Sequence, residues 1–486
     1  MCILRFSLPL FFFFCIQFVY GQSMFYKVYS GLGYDVGKGV AELEDSSFVI
    51  TGSSTSWEGS SQVYLMKIDS AGQREWTYNY GGPESDGASR VLFNKDIGIY
   101  TIGYTNSIGS GDYNGLVIKM DAEGNEIWQK SIGTADSWEF LHDAIFARDS
   151  SIVMVGESQN LADGDKDIYI VRIDRDGNTI WSNKIIASGV DYATSIAQIE
   201  DSMFVVGGTF YCQDSLSQKA FIMKIDEDGA LQWLDTLGNY SGDYTIEDIT
   251  VGIGTINAVG SREVGPDNHD SYLLMLDYNG NVLTQTTEND PNGESDIIMD
   301  EISFVPNLNK NVIGFRVVNA FSFQDDYDSN IAYFNESSLI WLNNFTSINY
   351  VGLDEVHQLM PTSDGGFIGV GQTTYPISGG SNIFVFKSSP LGEFPNTGEY
   401  YIIDPLVHVI ESAEINSVRY FPNPVGEVFH VSFFGDNKKQ LRFFDTLGQL
   451  AYSRYVSSGE AIDVSFLEQG VYYVLLESTT FKVVKL

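Results

Sequence analysis

The segment Asp163-Gly-Asp165-Lys-Asp167 sets three carboxylates at alternate positions, an arrangement of oxygen donors that suits a hard cation such as Ca2+. It lacks the central glycine and distal glutamate of an EF-hand loop. The reading is therefore a loop-borne Ca2+ site at Asp163, Asp165 and Asp167, set against plain turn hydrogen bonding by the same oxygens. The five histidines, His142, His269, His357, His408 and His430, show no His-Glu-x-x-His spacing, and neither a nucleophile elbow nor a phosphate loop occurs. Cys212 has no Cys-His signature around it and reads as a packed bystander. No catalytic residue and no organic cofactor is predicted. A carboxylate pair for glycoside cleavage could still assemble from distant segments of so acidic a chain.

The acidic residues recur in two classes of loop. Asp35, Asp86, Asp136, Asp191, Asp243, Asp296 and Asp354 precede apolar runs, while Asp112, Asp165, Asp167, Asp214, Asp267, Asp270, Asp325 and Asp326 fall in later connections. Both classes would open on one face, giving an acidic rim with Tyr113, Trp138 and Tyr192 nearby. Such a rim suits a glycan, a protein or a cation-bridged ligand.

What positions these loops is a repeat running from Asp35 to Gly392. Its clearest copy is Tyr64-Leu-Met-Lys-Ile-Asp69-Ser-Ala-Gly72-Gln-Arg-Glu-Trp76. Equivalent aspartates stand at Asp121, Asp174, Asp226 and Asp277, and the tryptophans Trp128, Trp181 and Trp233 keep step. A glycine closing an apolar run marks each copy: Gly52, Gly103, Gly156, Gly207, Gly260, Gly314 and Gly371. Each unit reads as four short strands with no helical period between them. A unit of about 50 residues with four strands is a propeller blade, because one such sheet cannot bury both faces unless neighbours stack on it. The spacing predicts a seven-bladed β-propeller over 22–395. The Asp-x-x-Gly step predicts a tight hairpin, with aspartate accepting turn hydrogen bonds and glycine at positive φ. The last copy lacks a fourth strand, whereas Phe25-Tyr-Lys-Val-Tyr29 resembles a displaced one, so the N-terminal strand is predicted to close the last blade.

Charge and targeting signals set the compartment. The chain of 486 residues carries 64 acidic and 27 basic residues. The seven acidic and seven basic residues of 416–486 cancel and Arg5 lies in the leader, so 22–415 holds a net charge of −38. That field repels nucleic acid and anionic lipid. Residues 1–21, with Arg5, an apolar run from Leu8 to Tyr20 and then Gly21, have the layout of a cleaved signal peptide. No later segment is long and apolar enough for a membrane span, and Cys212 is the one thiol left, so no intramolecular disulfide is expected. The stretch from Asn396 to Ile415 reads as a linker.

Beyond it come Arg419-Tyr-Phe-Pro422-Asn423-Pro424, Phe443-Phe-Asp445-Thr-Leu-Gly448-Gln449, Ile462-Asp463-Val-Ser465-Phe-Leu467, Gly470-Val-Tyr472 and Lys482-Val-Val-Lys485-Leu486. In that order, at the C-terminus, these motifs resemble the type A sorting domain of type IX secretion cargo from Bacteroidetes. The resemblance covers residues 416–486 and departs at Gln449, where the family often has a basic residue. It implies a small Ig-like β-sandwich and recognition by the type IX secretion machinery. It also implies passage through the periplasm to the cell surface or the medium. The Asp-x-x-Gly-x-x-x-Trp stretches also resemble sialidase Asp-boxes and quinoprotein tryptophan repeats, both scaffold features, and neither carries a catalytic residue across.

Overall fold

The structure is a computed structural model. It describes residues 24–485 except 32, 57–59, 110–111, 186–188, 201, 213–216, 238–242, 266–267, 289–294, 306–309, 320–326, 336–337, 345–353, 375–379, 391–398, 403–418, 422–427, 433–437, 445–449, 458–459, 468 and 477–478. The predicted leader 1–21 thus lies outside the described residues. Among those described there is no helix.

Six four-stranded antiparallel sheets follow one another along the chain. The first holds Asp35–Glu42, Phe48–Ser54, Gln62–Ile68 and Arg74–Tyr80; the second Asp86–Asn94, Gly98–Thr105, Asn114–Met120 and Glu126–Ile132. The third holds Ser137–Phe146, Ile152–Asn160, Lys166–Ile173 and Thr179–Ile185; the fourth Tyr192–Glu200, Met203–Cys212, Ser217–Asp226 and Leu231–Leu237. The fifth holds Asp248–Val251, Ile256–Gly265, Asn268–Leu276 and Val282–Glu288; the sixth Ser295–Val305, Lys310–Asn319, Tyr327–Asn335 and Ser338–Asn344. A closing sheet takes Asp354–Pro361, Phe367–Thr373 and Asn382–Ser388, then the N-terminal strand Phe25–Ser30, then Glu399–Ile402.

The first strand of each sheet touches the first strand of the next, and that of the closing sheet returns to the first sheet, so the sheets form a ring with these strands innermost. Facing sheets bury each other's apolar sides. Val49 and Leu65 pack with Val91 and Ile118 between the first two sheets, and Ile50 and Tyr64 pack with Ile368 and Val385 across the closure.

Closure depends on the N-terminal strand. Phe25 pairs with Lys387 and Tyr29 with Ile383, antiparallel, in the place a fourth strand of the closing sheet would occupy. Phe25, Val28 and Tyr29 are buried, and each such apolar side chain contributes about 1.5–3 kcal/mol. The Tyr29 hydroxyl donates to the Gly72 carbonyl at 2.7 Å, and its counterpart Tyr80 donates to the Gly124 carbonyl. Glu399–Ile402, within the stretch that reads as linker, pairs parallel on the far side of the same strand.

The Asp-x-x-Gly hairpins share one geometry. Asp69 Oδ1 accepts from the backbone N–H groups of Ala71 and Gln73 at 2.8 Å, and Gly72 has φ +75°. Asp121, Asp174, Asp226 and Asp277 repeat the pattern. The glycine has a second duty. A Cβ on Gly124, Gly177 or Gly229 would crowd Trp76, Trp128 or Trp181 of the preceding sheet, so the tryptophan on each outer strand seats on the next sheet's turn.

The glycine that closes the second strand's apolar run lies opposite a β-bulge. Innermost strands bulge at Gly37/Gly39, Ala88/Arg90, Leu141/Asp143, Ala193/Ser195, Met299/Glu301 and Val356/Gln358. There the inner-strand carbonyl presses on the neighbour: a Cβ on Gly52, Gly103, Gly156 or Gly371 would stand within about 2 Å of that oxygen, and one on Gly260 equally close to the Thr245 carbonyl just before the fifth sheet's inner strand. In the fourth sheet this residue is Gly208, against the Tyr192 carbonyl, rather than the expected Gly207, which pairs with Ser195.

At the C-terminal end a three-stranded sheet (Arg419–Phe421, Val428–Ser432, Ala461–Asp463) and a four-stranded sheet (Lys439–Phe444, Leu450–Val456, Gly470–Leu476, Thr479–Lys485) bury one core around Phe429, Val431, Phe443 and Val474.

Candidate functional site

The acids that open the innermost strands turn inward. Asp35 is fully buried and accepts from the hydroxyls of Ser54 and Ser56 and from Gly31 N–H; burial nevertheless raises its pKa. Asp86 accepts from Gly82 N–H and Ser107 Oγ, and Asp191 from Tyr211 N–H. In the third sheet the equivalent role belongs to Glu139, which takes hydrogen bonds from Ser137 and Ser158, while the expected Asp136 is exposed. Asp270, counted with the rim, is buried against Arg262 at 2.7 Å. The side chains of Asp296 and Asp354, and all of Asp214, Asp267, Asp325 and Asp326, lie outside the described residues. Much of the anticipated rim is thus internal wiring. Such loops need acceptors for buried backbone N–H groups, and a short carboxylate supplies two lone-pair-rich oxygens.

A second polar system links the inner strands, at the residue just past the bulge in the second, third, fourth and closing sheets and at Asp248 in the fifth. Asp143 Oδ1 receives Arg90 Nε at 2.5 Å and Ala144 N–H; its Oδ2 receives Ile196 N–H at 2.9 Å and Ser195 Oγ at 3.2 Å. Ser195 Oγ donates to Asp248 Oδ1 at 2.7 Å, and Asp248 Oδ2 receives Ile302 N–H at 2.9 Å. Gln358 Oε1 receives Val40 N–H at 2.6 Å across the closure. Each side chain reaches the inner strand of the next sheet, whose N–H groups at the ring's centre have no further strand to pair with. Around Arg90, burial works against the charge, but Asp143, Glu301 and Asp248 outweigh it and hold the guanidinium protonated. Burial pushes Asp248 up to about 6, opposed chiefly by Arg90.

Asp143 and Asp248 form the carboxylate pair that could have signalled hydrolysis. Both are nearly inaccessible, at 4% and 6% exposure, and every oxygen of the pair accepts from Arg90, Ser195 or a backbone N–H. Glycoside cleavage needs one carboxyl group to reach the leaving oxygen and another to reach water or the anomeric carbon. These two are struts.

The aromatic residues give a different picture. Tyr113 packs edge-on to Trp138 at 5.4 Å and lies 5.2 Å from Phe140, and Tyr104 lies 5.4 Å from Phe140. The Tyr104 ring covers the backbone of Gly87 on the second sheet's inner strand, where a Cβ would stand 2.7 Å from the ring. Along the third sheet's inner strand the half-buried Trp138, Phe140 and His142 alternate with buried Ser137, Glu139, Leu141 and Asp143. The edge of the His142 ring meets Tyr192 at 6.4 Å. Glu139 N–H binds the Tyr113 carbonyl, and Leu161 N–H the Asp136 carbonyl, so the neighbouring loops frame this aromatic mouth. Leu161 and Val190 are exposed. Burial depresses the pKa of His142, with Lys166 and Lys38 adding to that and Glu157 opposing it, so the imidazole is neutral. Trp138 Nε1 and His142 Nε2 are both buried and have no hydrogen-bond partner.

Asp163 and Asp165 are exposed, and Asp163 Oδ1 accepts from Asp165 N–H at 3.2 Å. Asp167 has entered the strand opposite Ser158, with one oxygen buried and unpartnered; burial raises its pKa, and Asp165 and Asp163 add to the rise. Among the described residues no three carboxylate, imidazole or thiol groups come together to hold a metal.

A closed ring of six four-stranded antiparallel sheets and the closing sheet defines the larger part of the chain as a β-propeller. Residues 419–486 match the family described as the secretion system C-terminal sorting domain, so this propeller protein ends in a type IX secretion address directing export. Within that domain Tyr472 is buried beside Phe443, Gly470 pairs with Lys485, and Lys482 pairs with Tyr473. Pro422, Asn423, Pro424, Asp445 and Gly448 lie outside the described residues. No curated protein matches the sequence. Solved structures similar to it include a Dos1 propeller, with 12% identity, TM-score 0.42, and coverage of 78% of this chain and 98% of that one. Another is a subtype N10 neuraminidase-like protein of A/little yellow-shouldered bat/Guatemala, with 9% identity, TM-score 0.37, and coverage of 60% and 90%. Among the described residues no helix is long and apolar enough to cross a membrane.

Proposed function

We propose that this is a secreted or surface-displayed bacterial binding protein of Bacteroidetes type, without catalytic activity. Its mature form holds a seven-bladed propeller over 22–395, a linker over 396–415 and an Ig-like sorting sandwich over 416–486, the leader 1–21 having been removed. The sorting sandwich engages the type IX machinery, and the propeller binds an extracellular glycan or protein through the aromatic mouth. One observation carries the binding role: four aromatic rings, Tyr104, Tyr113, Trp138 and Phe140, contact one another yet remain partly exposed where the inner strands begin. Aromatic side chains with that much accessible surface are costly in water and are enriched where ligands dock. The wired state of Asp143 and Asp248 argues against the rival role of polysaccharide hydrolase or lyase.

The test is incubation of the secreted protein with a panel of polysaccharides and surface proteins, with and without Ca2+, while polymer length is followed. Tyr113→Ala should weaken binding about tenfold, as loss of a central aromatic contact does. Undiminished binding by Tyr113→Ala would move the site elsewhere, and progressive shortening of a polymer would make the protein an enzyme.

A further inference from the structure

A strand at the edge of a sheet carries a row of unpaired N–H and C=O groups, and folds blunt such rows by short length, charge or proline. The sorting sandwich has four strand edges among the described residues, and three of them are blunted. Arg419–Phe421 and Ala461–Asp463 are three residues long, and Thr479–Lys485 carries Lys482 and Lys485. The fourth, Leu450–Val456, is open. Its sequence Leu-Ala-Tyr-Ser-Arg-Tyr-Val has no proline or glycine, a composition that pairs readily with further strands. Its one charge, Arg454, is tied to Glu460 in the turn that follows. Lys439–Phe444 pairs along one side of this strand, and no described strand takes the other. Apolar surface accompanies the open edge: Leu450 is 56% exposed and Tyr455 61%, and Phe466, 55% exposed, leans on Tyr452 at 5.1 Å.

Resting on the export role proposed for this sandwich, we infer that Leu450–Val456 is the surface the export machinery reads, and that it is read by strand addition. The partner is an extended segment of a receptor protein, apolar and acidic in alternation, that pairs along the open edge. Charge selects it. The edge strand and its neighbour together hold Lys439, Arg442 and Arg454 and no acidic residue, with Lys438 just ahead of them, in a chain whose 64 acidic residues far outnumber its 27 basic ones. An acidic segment is drawn to such an edge. A second copy of the chain, pairing strand to strand, would set the same basic residues against themselves, which like charges oppose. The mode of contact suits an address as well. Main-chain pairing supplies affinity to a folded domain without opening it, and the exposed Leu450 and Tyr455 side chains supply the selectivity.

The experiment follows the full-length protein in the exporting cell by fractionation, with purified protein used for melting and size. Leu450→Asp and Tyr455→Asp change exposed side chains, so their thermal midpoints should stay near that of wild type. Each removes apolar contact and adds a charge that repels an acidic strand. Exported protein should fall about tenfold, with the missing material recovered in the periplasm. Tyr455→Phe should export normally, and Tyr455→Lys, which keeps the sign of the edge, should lose less than Tyr455→Asp. Leu283→Asp, a comparably exposed change on the outer strand of the fifth propeller sheet, should leave export unaltered. Normal export of both edge aspartate variants overturns the inference, and so does equal loss in Tyr455→Lys and Tyr455→Asp. A dimer of the purified protein that Tyr455→Asp dissolves overturns it too, because the edge then serves a second copy. Deletion of 416–486 keeps the two readings apart. If the deletion traps the protein while the aspartate variants pass, the edge alone is wrong; if the deletion is secreted normally, the sorting role itself fails.

Discussion

Asp248 is asked to be charged and buried at once. Its oxygens accept from Ser195 Oγ, Ile249 N–H and Ile302 N–H, all of which favour the carboxylate, while burial favours the acid and raises its pKa from 3.8 to about 6. Between about pH 4 and 6 the folded chain therefore binds a proton that the unfolded chain has released. Its contribution to stability must fall as pH rises through that window and level off above it. Asp248→Asn removes the titration and places an amide nitrogen against a backbone donor. The variant should be less stable by about 1–3 kcal/mol, and the gap to wild type should be widest near pH 4 and narrower at pH 7 in denaturant titrations. A gap constant with pH would mean that the proton is held elsewhere. The sequence hid this system because its members differ in type. Arg90, Asp143, Ser195 and Asp248 keep the repeat spacing, but no single residue marks the position, and their partners are backbone groups that only register reveals. The acids of the loops, legible as a class, misled about exposure: a carboxylate that caps a turn and one that faces water look identical in sequence.

At the scale of the element, local chemistry was readable and edges were less so. Asp69 and Gly72 announce their hairpin because aspartate and a positive-φ glycine leave few other options. The N-terminal strand was legible from Tyr29, which stands before Asp35 as Tyr80 stands before Asp86. Its second partner was not, since Glu399–Ile402 lacks any repeat motif and gains its place by pairing alone. The bulges were invisible except through the glycines facing them, and in the fourth sheet two consecutive glycines concealed which one carries the burden. Deleting 22–30 would strip one of the two antiparallel partners from Asn382–Ser388 and leave an unpaired edge, a template for joining other chains. The truncated protein should melt at lower temperature and run as oligomers in size-exclusion chromatography. A monomer of unchanged stability would show that the ring closes without this strand.

For the whole molecule, charge and address belong to different parts. Residues 22–415 carry the full acidic excess, and the sorting domain is balanced. Deleting 416–486 should leave a folded propeller in the periplasm, detected by cell fractionation, and normal secretion of that truncation would refute the role of the domain in export. The sorting motifs were legible because they recur in order near the end of the chain; Tyr113 and Trp138 were legible as aromatics near the rim, but their packing with Tyr104 and Phe140 was not, because the cluster combines residues from separate sheets.

The pairing of Phe25 with Lys387 also fixes a sequence of events. Each four-stranded sheet is made of neighbours in the chain and is able to form soon after it is made, whereas ring closure joins the first strand produced to almost the last. Until the final sheet appears, the polypeptide is an open array with its closing strand unused. An exporting cell therefore has the whole interval of synthesis in which to hold the chain unfolded, and the moment at which it locks is set by the arrival of the final sheet.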